Sequence, residues 1–212
     1  MDTTLAYYNT HAADYIKNTQ ALNMGHLHAA LLIYLPENAR ILDLGCGSGR
    51  DAKAFQEYGL NVDVADPSLV MLEATQKFTG IDGHNCTAQE LNAQEHYNAI
   101  WACASLLHVP PHEHPQVFKN LTDALKPNGH IYTSFKKEPR QDDQTTTTTT
   151  DEYKRHFTNL GILAAEKIIY ITPLLYPGTP QLTIIRAWYT DDIGNNGTKW
   201  TNLILRKPHP TK

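Results

Sequence analysis

One short stretch of the chain, residues 41–51, combines residue types that could bind a charged ligand. It reads Ile-Leu-Asp-Leu-Gly-Cys-Gly-Ser-Gly-Arg-Asp, with Asp43 two residues before the first of three alternating glycines. Glycines after a strand let the backbone turn sharply and approach a ligand closely, because no Cβ intervenes. A carboxylate beside such a loop would repel a pyrophosphate and attract an ammonium or a sulfonium. The stretch therefore predicts a binding loop for a ligand that carries a cationic group.

The positions of the glycines argue against a dinucleotide-binding fingerprint, which requires Gly-x-Gly-x-x-Gly. Here they stand at Gly45, Gly47 and Gly49, so the third comes one residue early. Arg50 occupies the place where the third glycine is expected. The spacing and the nearby acid together favour a cationic ligand over a pyrophosphate.

A second acid, Asp66, ends the next predicted strand, residues 61–65. It lies roughly 20 residues past the glycines, where a carboxylate can bind both ribose hydroxyls through its two oxygens. Asp63 is the alternative, but it lies in mid-strand, whereas open α/β sheets bind ligands at the carboxyl ends of their strands. Asp66 could instead, or in addition, cap a helix that is expected to begin near Pro67.

Two later segments continue an alternation of strands and helices. Residues 97–110 begin with a polar pair and become apolar, as a parallel strand buried on both faces should. Residues 125–129 form a Leu-Lys-Pro-Asn-Gly turn that the apolar strand 130–135 follows. Asn128 tolerates the left-handed conformation, so it can stand in such a turn. Strands alternating with helices of this length predict a parallel sheet with crossover connections.

These segments, in this order, resemble the class I S-adenosylmethionine-dependent methyltransferases. The resemblance rests on residues 41–51, on Asp66, and on the segments 97–110 and 125–135. The chain, including its terminal residues 199–207, is further similar to a bacterial subgroup, the tellurite resistance-related methyltransferases. Membership of that subgroup would not fix the methyl acceptor.

The resemblance implies a Rossmann-like, three-layer α/β sandwich in one domain of 212 residues. Its mostly parallel, seven-stranded sheet would be closed by a carboxyl-terminal antiparallel hairpin, with residues 81–87 as the third strand. Residues 1–35 would form a helical cover over the cofactor. Residues 38–136 would form the cofactor-binding core, and residues 137–212 a loop, a variable segment and the last strands.

The carboxyl-terminal part is the hardest to interpret. Six consecutive threonines, residues 145–150, predict a mobile surface loop without chemistry, because the run has no apolar face to bury. Residues 161–176 are rich in Ile and Leu but are broken by Pro173. We expect the acceptor pocket to be built from the amino-terminal cover and residues 137–180.

The resemblance also implies where S-adenosylmethionine would bind. The acid and the glycine loop would hold its methionine end and Asp66 its ribose, while Gln89, or alternatively Glu90, would reach its adenine amino group. Tyr15, Tyr8 or both could face the sulfonium, which an aromatic face attracts; equally, they could pack the cover onto the sheet. The predicted cofactor-binding residues are Asp43, Gly45, Cys46, Gly47, Gly49, Asp66, Pro67, Gln89, Ala104 and Tyr15.

His108 is the candidate general base. It follows the fourth predicted strand at the cofactor-facing edge, and imidazole titrates in the useful range; otherwise it is a packed or solvent-facing histidine. A base is needed only if the nucleophile of the acceptor carries a proton. His108, His112 and His114 could also suggest a metal site, but Pro110 and Pro111 prevent one helix from aligning the first pair. No acid or cysteine stands at ligand spacing, so we expect no metal.

Charge and composition limit the function. The chain has 18 Lys and Arg against 22 Asp and Glu, a formal net charge of −4, which disfavours a nucleic-acid partner. We therefore expect a small-molecule acceptor, methylated at oxygen, nitrogen, sulfur or a metalloid. Modification of tRNA or protein, and cofactor binding without catalysis, are the alternatives.

The cysteines and the hydropathy pattern indicate a cytoplasmic protein. Cys46, Cys86 and Cys103 are odd in number and lack Cys-x-x-Cys spacing, so we expect reduced thiols. No run of 18 apolar residues occurs, so no membrane association is expected. The sequence is compatible with a monomer or a homodimer.

Overall fold

The computed structural model describes residues 3–137, 159–194 and 197–209; the predicted threonine loop, residues 145–150, lies outside them. The described ranges contain six strands: β1 (Arg40–Leu44), β2 (Asn61–Ala65), β3 (Tyr97–Ala102), β4 (Leu125–Lys136), β5 (Thr183–Asp191) and β6 (Lys199–Arg206). They contain seven α-helices: α1 (Thr3–Thr10), α2 (Ala12–Thr19), α3 (Gly25–Leu32), α4 (Arg50–Glu57), α5 (Leu69–Thr79), α6 (His114–Ala124) and α7 (Ile162–Leu175). Within these ranges, no helix is both long and apolar enough to cross a membrane.

The strands form one sheet in the order β2-β1-β3-β4-β6-β5. β2, β1, β3 and β4 are parallel to one another, whereas β6 pairs antiparallel with both β4 and β5. This arrangement confirms the predicted Rossmann-like α/β fold and the carboxyl-terminal antiparallel pair. The antiparallel strands lie at one end of the sheet, so the crevice of the parallel part remains open for a ligand.

The predicted third strand, residues 81–87, is wrong. This segment makes only an isolated parallel bridge, between Ala65 and His84, so the described sheet has six strands and not seven. Asp, Gly and Asn, which are frequent in this segment, are poor strand formers. A Cβ on Gly83 would lie 2.4 Å from Cδ2 of Leu72, which shows how closely the backbone approaches α5 here.

Side chains of the strands alternate between two faces, as the pleat of a strand requires. Leu42 and Ile100 belong to a core cluster with residues of α6 and α7. Ile41 and Trp101 belong to another, with residues of α3 and α4. Helices therefore cover both faces of the sheet, as in a three-layer sandwich.

The expected break at Pro173 does not occur, because α7 continues through it to Leu175. A proline inside a helix has no N–H for the carbonyl four residues earlier, which here belongs to Ile169. Nε2 of Gln181 donates a hydrogen bond to that carbonyl at 3.0 Å. A side chain from outside the helix thus replaces the missing backbone donor.

The segment before β1 is helical, as expected, and two hydrogen bonds fasten it to the sheet edge. Ser68, in the loop after β2, donates through Oγ to Oδ1 of Asn9 at 2.7 Å. Gln20 donates through Nε2 to the carbonyl of Ser48, in the loop after β1, at 3.1 Å. Helices α1 and α2 are therefore held against the carboxyl ends of the first two strands.

Candidate active site

The loop between β1 and α4 has the backbone geometry that its glycines predict. Gly45, Gly47 and Gly49 have φ values of 78°, 52° and 76°, in the left-handed region that favours glycine. A Cβ at Gly45 would lie 2.4 Å from Cβ of Ser105, in the loop after β3. Both conformation and space therefore require glycine at this position.

Asp66 joins the two loops of the sheet edge. Its Oδ2 accepts a hydrogen bond from the Gly47 N–H at 3.0 Å, and its Oδ1 accepts one from the Ser68 N–H at 2.8 Å. Burial raises the pKa of Asp66, although these two hydrogen bonds oppose the shift. The N-cap of α5 is Ser68, whose Oγ accepts from the Met71 N–H, so the capping role considered for Asp66 belongs to Ser68.

Asp63 is engaged elsewhere. It forms an ion pair with Arg40, in which Nε and Oδ2 are 2.8 Å apart, and it lines neither of the two cavities described below. Asp66, just after the strand end, therefore lies on a cavity wall, whereas Asp63, in mid-strand, does not.

Asp43 is buried beneath the glycine loop rather than on the wall of a cavity. Its Oδ2 accepts a hydrogen bond from the Ala52 N–H, in the first turn of α4, at 3.1 Å. A carboxylate is favourable at a helix amino terminus. Burial, together with the neighbouring Asp51, raises the pKa of Asp43 well above its usual value. Asp43 therefore anchors the start of α4 behind the loop.

A cavity of about 260 Å³ lies at the carboxyl ends of β1, β2 and β3, and we call it the first cavity. Three predicted residues do not line it: Asp43, Cys46 and Gly49. Cys46 is buried with its Sγ 3.6 Å from Oγ1 of Thr75, and burial raises the pKa of its thiol. The predicted residues that the structure brings to the wall are Gly45, Gly47, Asp66, Pro67, Gln89, Ala104, Tyr15 and His108.

Gln89 and Glu90 differ in their surroundings. Gln89 lines the first cavity, and its Nε2 donates to Oε2 of Glu113 at 2.7 Å. Glu90 is exposed, lines neither cavity, and accepts a hydrogen bond from the Thr87 N–H at 2.9 Å. Of the two candidates, only Gln89 faces the space where a nucleobase would bind.

Two tyrosines of the amino-terminal helices contact the site. A Cβ on Gly47 would lie 3.4 Å from Cε1 of Tyr15, so that ring lies against the glycine loop. Tyr8 packs edge-on against Tyr15, with ring centroids 5.1 Å apart. The Oη of Tyr8 lies 3.0 Å from Nε2 of His108, at hydrogen-bond distance. Each tyrosine thus helps to pack the amino-terminal cover onto the sheet edge and also faces the cavity.

A second cavity, of about 640 Å³, adjoins the first. Its further wall comes from α2, Arg50, the end of β4 and the β5–β6 connection. The described part of residues 137–180 does not line it, so this cavity differs from the pocket expected from the sequence. The residues that line both cavities are Tyr8, Tyr15, Cys103, Ala104 and His108.

A buried polar network next to the second cavity has no local sequence signal. Asp51 accepts hydrogen bonds from Arg50, from Nε2 of His28 at 2.9 Å and from Nε1 of Trp101 at 2.9 Å. Burial alone would raise the pKa of Asp51, but the charge of Arg50 and these hydrogen bonds outweigh it and lower the pKa. Thr75, inside α5, is a second unforeseen residue: its Oγ1 donates to the Gly47 carbonyl at 2.9 Å.

The three histidines that follow β3 differ in their surroundings. His114 is buried, with Nε2 3.2 Å from the Leu106 carbonyl, whereas His112 is exposed. Among the residues that the structure describes, no group of three or more His, Cys, Asp or Glu side chains could hold a metal ion.

This strand order, with a glycine loop after β1 hydrogen-bonded to an acid after β2, places the protein in the Rossmann-like α/β class. The chain belongs to a methyltransferase family, because a family model described as a methyltransferase domain matches residues 15–166. By its family, the protein is a methyltransferase.

Solved structures share this fold at low sequence identity. The Burkholderia thailandensis 1,6-didemethyltoxoflavin-N1-methyltransferase, with bound 1,6-didemethyltoxoflavin and S-adenosylhomocysteine, is 16% identical, with a TM-score of 0.75 over 97% of this chain and 88% of that chain. The Synechocystis magnesium protoporphyrin IX methyltransferase, with bound S-adenosylmethionine, is 15% identical, with a TM-score of 0.70 over 98% of both chains. The cyclase SpnF is 14% identical, with a TM-score of 0.71 over 99% of this chain and 97% of that chain. No curated protein matches the chain significantly.

Proposed function

We propose that the protein transfers a methyl group from S-adenosylmethionine to a small-molecule acceptor bound in the second cavity, at oxygen, nitrogen, sulfur or a metalloid. The observation that carries this proposal is the junction of the two cavities at five shared residues. The volume of the second cavity, about 640 Å³, lies within the range of roughly 300–1,000 Å³ typical of small-molecule sites.

The residues on the wall of the first cavity fit the cofactor. Gly45 and Gly47 line this cavity, and without a Cβ their backbone can come close to a ligand. Asp66 can also accept hydrogen bonds from ribose hydroxyls. Each of its carboxylate oxygens has two lone pairs and uses only one of them for a backbone N–H. Gln89 would contact the adenine edge. When bound, the cofactor supplies an activated methyl group.

The remaining predicted residues take supporting places in this proposal. Pro67 and Ala104 would contact the cofactor from the wall, while Cys46 and Gly49 shape the loop from behind. Asp43 would act through its hydrogen bond to the start of α4. Tyr15 would present its ring to the cationic end of the cofactor, because its edge already lies against the loop at Gly47.

His108 is the proposed general base of the reaction. It lines both cavities, so its imidazole can reach a nucleophile in the second cavity beside a methyl group delivered from the first. A positioned base contributes about 10² to 10⁴-fold when the nucleophile carries a proton.

Small-molecule acceptors are supported by two of the structural relatives, which are named for a toxoflavin precursor and for magnesium protoporphyrin. The formal net charge of −4 gives no support to a nucleic-acid acceptor. The cyclase relative shows that this fold also carries other chemistry, so methyl transfer has to be measured.

The test is calorimetric titration with S-adenosylmethionine, followed by a screen of small-molecule acceptors for production of S-adenosylhomocysteine. Cofactor binding and turnover with a small molecule would support the proposal. Turnover only with tRNA or protein would transfer the assignment to macromolecule modification. Cofactor binding without turnover on any acceptor would indicate a non-catalytic cofactor-binding protein.

A further inference from the structure

The contact between Tyr8 and His108 lies where the two cavities meet. Oη of Tyr8 and Nε2 of His108 are 3.0 Å apart, and both side chains line both cavities. Tyr8 belongs to α1 and His108 to a short 3₁₀ turn after β3, 100 residues later in the chain. The amino-terminal cover thus contributes a hydroxyl group to the place where methyl transfer would occur.

We propose that Tyr8 and His108 form a proton relay, and that the acceptor is therefore a molecule whose nucleophilic atom carries a weakly acidic proton, a phenolic hydroxyl or a ring N–H. This inference rests on the proposed function. It narrows the acceptor class, because a halide, a thiolate or a metalloid anion would need no relay.

The relay balances in protons and electrons. The acceptor gives its proton to Oη of Tyr8 while the Tyr8 hydroxyl gives its own proton to Nε2 of His108. A lone pair on the acceptor forms the new bond to the methyl carbon, and the pair of the broken carbon–sulfur bond stays on sulfur. The imidazolium of His108 then returns its proton to water, and Tyr8 remains neutral throughout the cycle.

Other ionisable groups near the junction are poor candidates for the base. Burial raises the pKa of the Cys103 thiol to about 12, and burial and Tyr8 raise the pKa of Tyr15, so both stay protonated near neutral pH. Asp66 already accepts two backbone hydrogen bonds. The charged and titratable groups that face the pair from neighbouring elements are Tyr7, Tyr15, Cys103, Arg50, Asp66 and Lys136.

The charged groups around the second cavity have partners within the protein. Asp51 binds Arg50 through Nε and Nη2. Lys199 binds Asp191 at 2.7 Å. Asp192 accepts a hydrogen bond from Nε1 of Trp200 at 2.8 Å. Because Asp51 and Asp191 have cationic partners and Asp192 has a hydrogen-bond donor, the cavity suits a largely uncharged acceptor that fits against its aromatic walls better than a strongly charged one.

The experiment measures S-adenosylhomocysteine production with phenols from p-nitrophenol to phenol, with benzimidazole as a ring N–H acceptor, and with iodide as a nucleophile without a proton. The variants are Tyr8→Phe and His108→Gln. Tyr34→Phe is the control, because Tyr34 lies at the protein surface against His130 and lines neither cavity. Cofactor affinity is measured for each variant by calorimetry.

We expect kcat with phenol to fall about 10² to 10⁴-fold in both relay variants. The decrease should be smaller with the more acidic p-nitrophenol, and kcat with iodide should be unchanged. The rate of the relay variants with phenols should rise with pH as the free phenol ionises, whereas the wild-type rate should depend less steeply on that ionisation. The Tyr34→Phe variant should match the wild type.

Equal losses with phenol and iodide, or unchanged rates in both relay variants, would overturn the relay. Turnover of iodide but of no phenol or ring N–H acceptor by the wild type would contradict the acceptor class. Failure of the proposed function is separate: it appears as absent cofactor binding, or as no product with any nucleophile including iodide, in the wild type itself.

Discussion

The backbone N–H of Gly47 donates a hydrogen bond to Oδ2 of Asp66 at 3.0 Å. The two residues end adjacent parallel strands, which are in register where Leu44 pairs with Ala65. The bond fixes the carboxylate relative to the glycine loop before any ligand arrives. The proposed ribose site and the proposed loop for the methionine end of the cofactor are therefore joined by a direct hydrogen bond.

Replacement of Asp66 by Ala should weaken cofactor binding. It removes the acceptor of two ribose hydroxyls, and hydrogen bonds to a charged group contribute about 1.5–3 kcal/mol each. We expect a loss of at least roughly tenfold in S-adenosylmethionine affinity by calorimetry. Asp63→Ala is the control, because Asp63 pairs with Arg40 outside the cavities and its loss should leave the affinity nearly unchanged. Equal affinities of the two variants would remove Asp66 from the ribose site.

Cofactor affinity should also depend on pH through Asp66. Burial raises its pKa above the model-peptide value of 3.8, so the buried carboxylate takes up a proton at a higher pH than an exposed aspartate. Protonation removes acceptor capacity for the ribose, so affinity should fall as the pH falls through this raised pKa. Titrations between roughly pH 4 and 8 test this, with Asp66→Asn as the control that should lack this dependence. The same decline in both proteins would assign it to another group.

Gly45→Ala should destabilise the fold and abolish cofactor binding. The new Cβ would lie 2.4 Å from Cβ of Ser105, and an alanine would be strained at a φ of 78°. Gly59→Ala separates these effects, because Gly59 has a φ of 80° and no atom within 4 Å of its Cβ position. We expect Gly59→Ala to cost about 1 kcal/mol in urea unfolding, from strain alone, and Gly45→Ala clearly more. Similar costs would show that Ser105 moves aside.

The fold could be predicted as far as local patterns determine it. β2 matches the predicted strand 61–65 because its apolar alternation is bounded by polar ends. Asn128 has the left-handed φ of 61° that the predicted turn requires, but it lies within β4, where the pairing with β3 shifts register between Tyr97 and Ala99. The predicted third strand does not form, because residues 81–87 are poor in strand-forming residues. This segment packs closely against Leu72 and makes a single bridge to the sheet. The continuation of α7 through Pro173 depends on Gln181, which no local pattern reveals.

The candidate site, like the fold, could be predicted from the sequence only in part. Spacing along strands placed Asp66 at the first cavity and Asp63 outside it. The sequence predicts Asp43 on a strand just before the glycine loop, but its burial and its hydrogen bond from Ala52 depend on how α4 packs. The second cavity could not be located, because its wall combines α2 with the β5–β6 connection, which are far apart in the sequence.

A bulky side chain introduced into one cavity should impair binding of the ligand of that cavity only. Leu5 lines only the first cavity and Leu22 only the second, and both side chains are partly exposed. Leu5→Trp should weaken S-adenosylmethionine binding in calorimetry. Leu22→Trp should raise the KM for the acceptor and leave cofactor affinity unchanged. A loss of cofactor affinity in Leu22→Trp as large as in Leu5→Trp would show that the cavities do not hold separate ligands.

Asp51→Asn should be among the most destabilising polar substitutions in the chain. It leaves the charge of Arg50 without its buried partner, and breaking such a pair costs about 3–5 kcal/mol. Asp123→Asn, which breaks a partly exposed pair with Lys119 within α6, should cost under about 1 kcal/mol in the same urea unfolding experiment.

The pH dependence of this difference follows from the lowered pKa of Asp51 in the folded state. Its contribution to stability is fully present above the unfolded pKa of about 3.9 and is lost as the pH falls from there through the folded pKa. The gap in unfolding free energy between wild type and Asp51→Asn should therefore be constant near neutral pH and shrink below about pH 4. A gap that widens on acidification would mean that Asp51 is protonated in the folded protein.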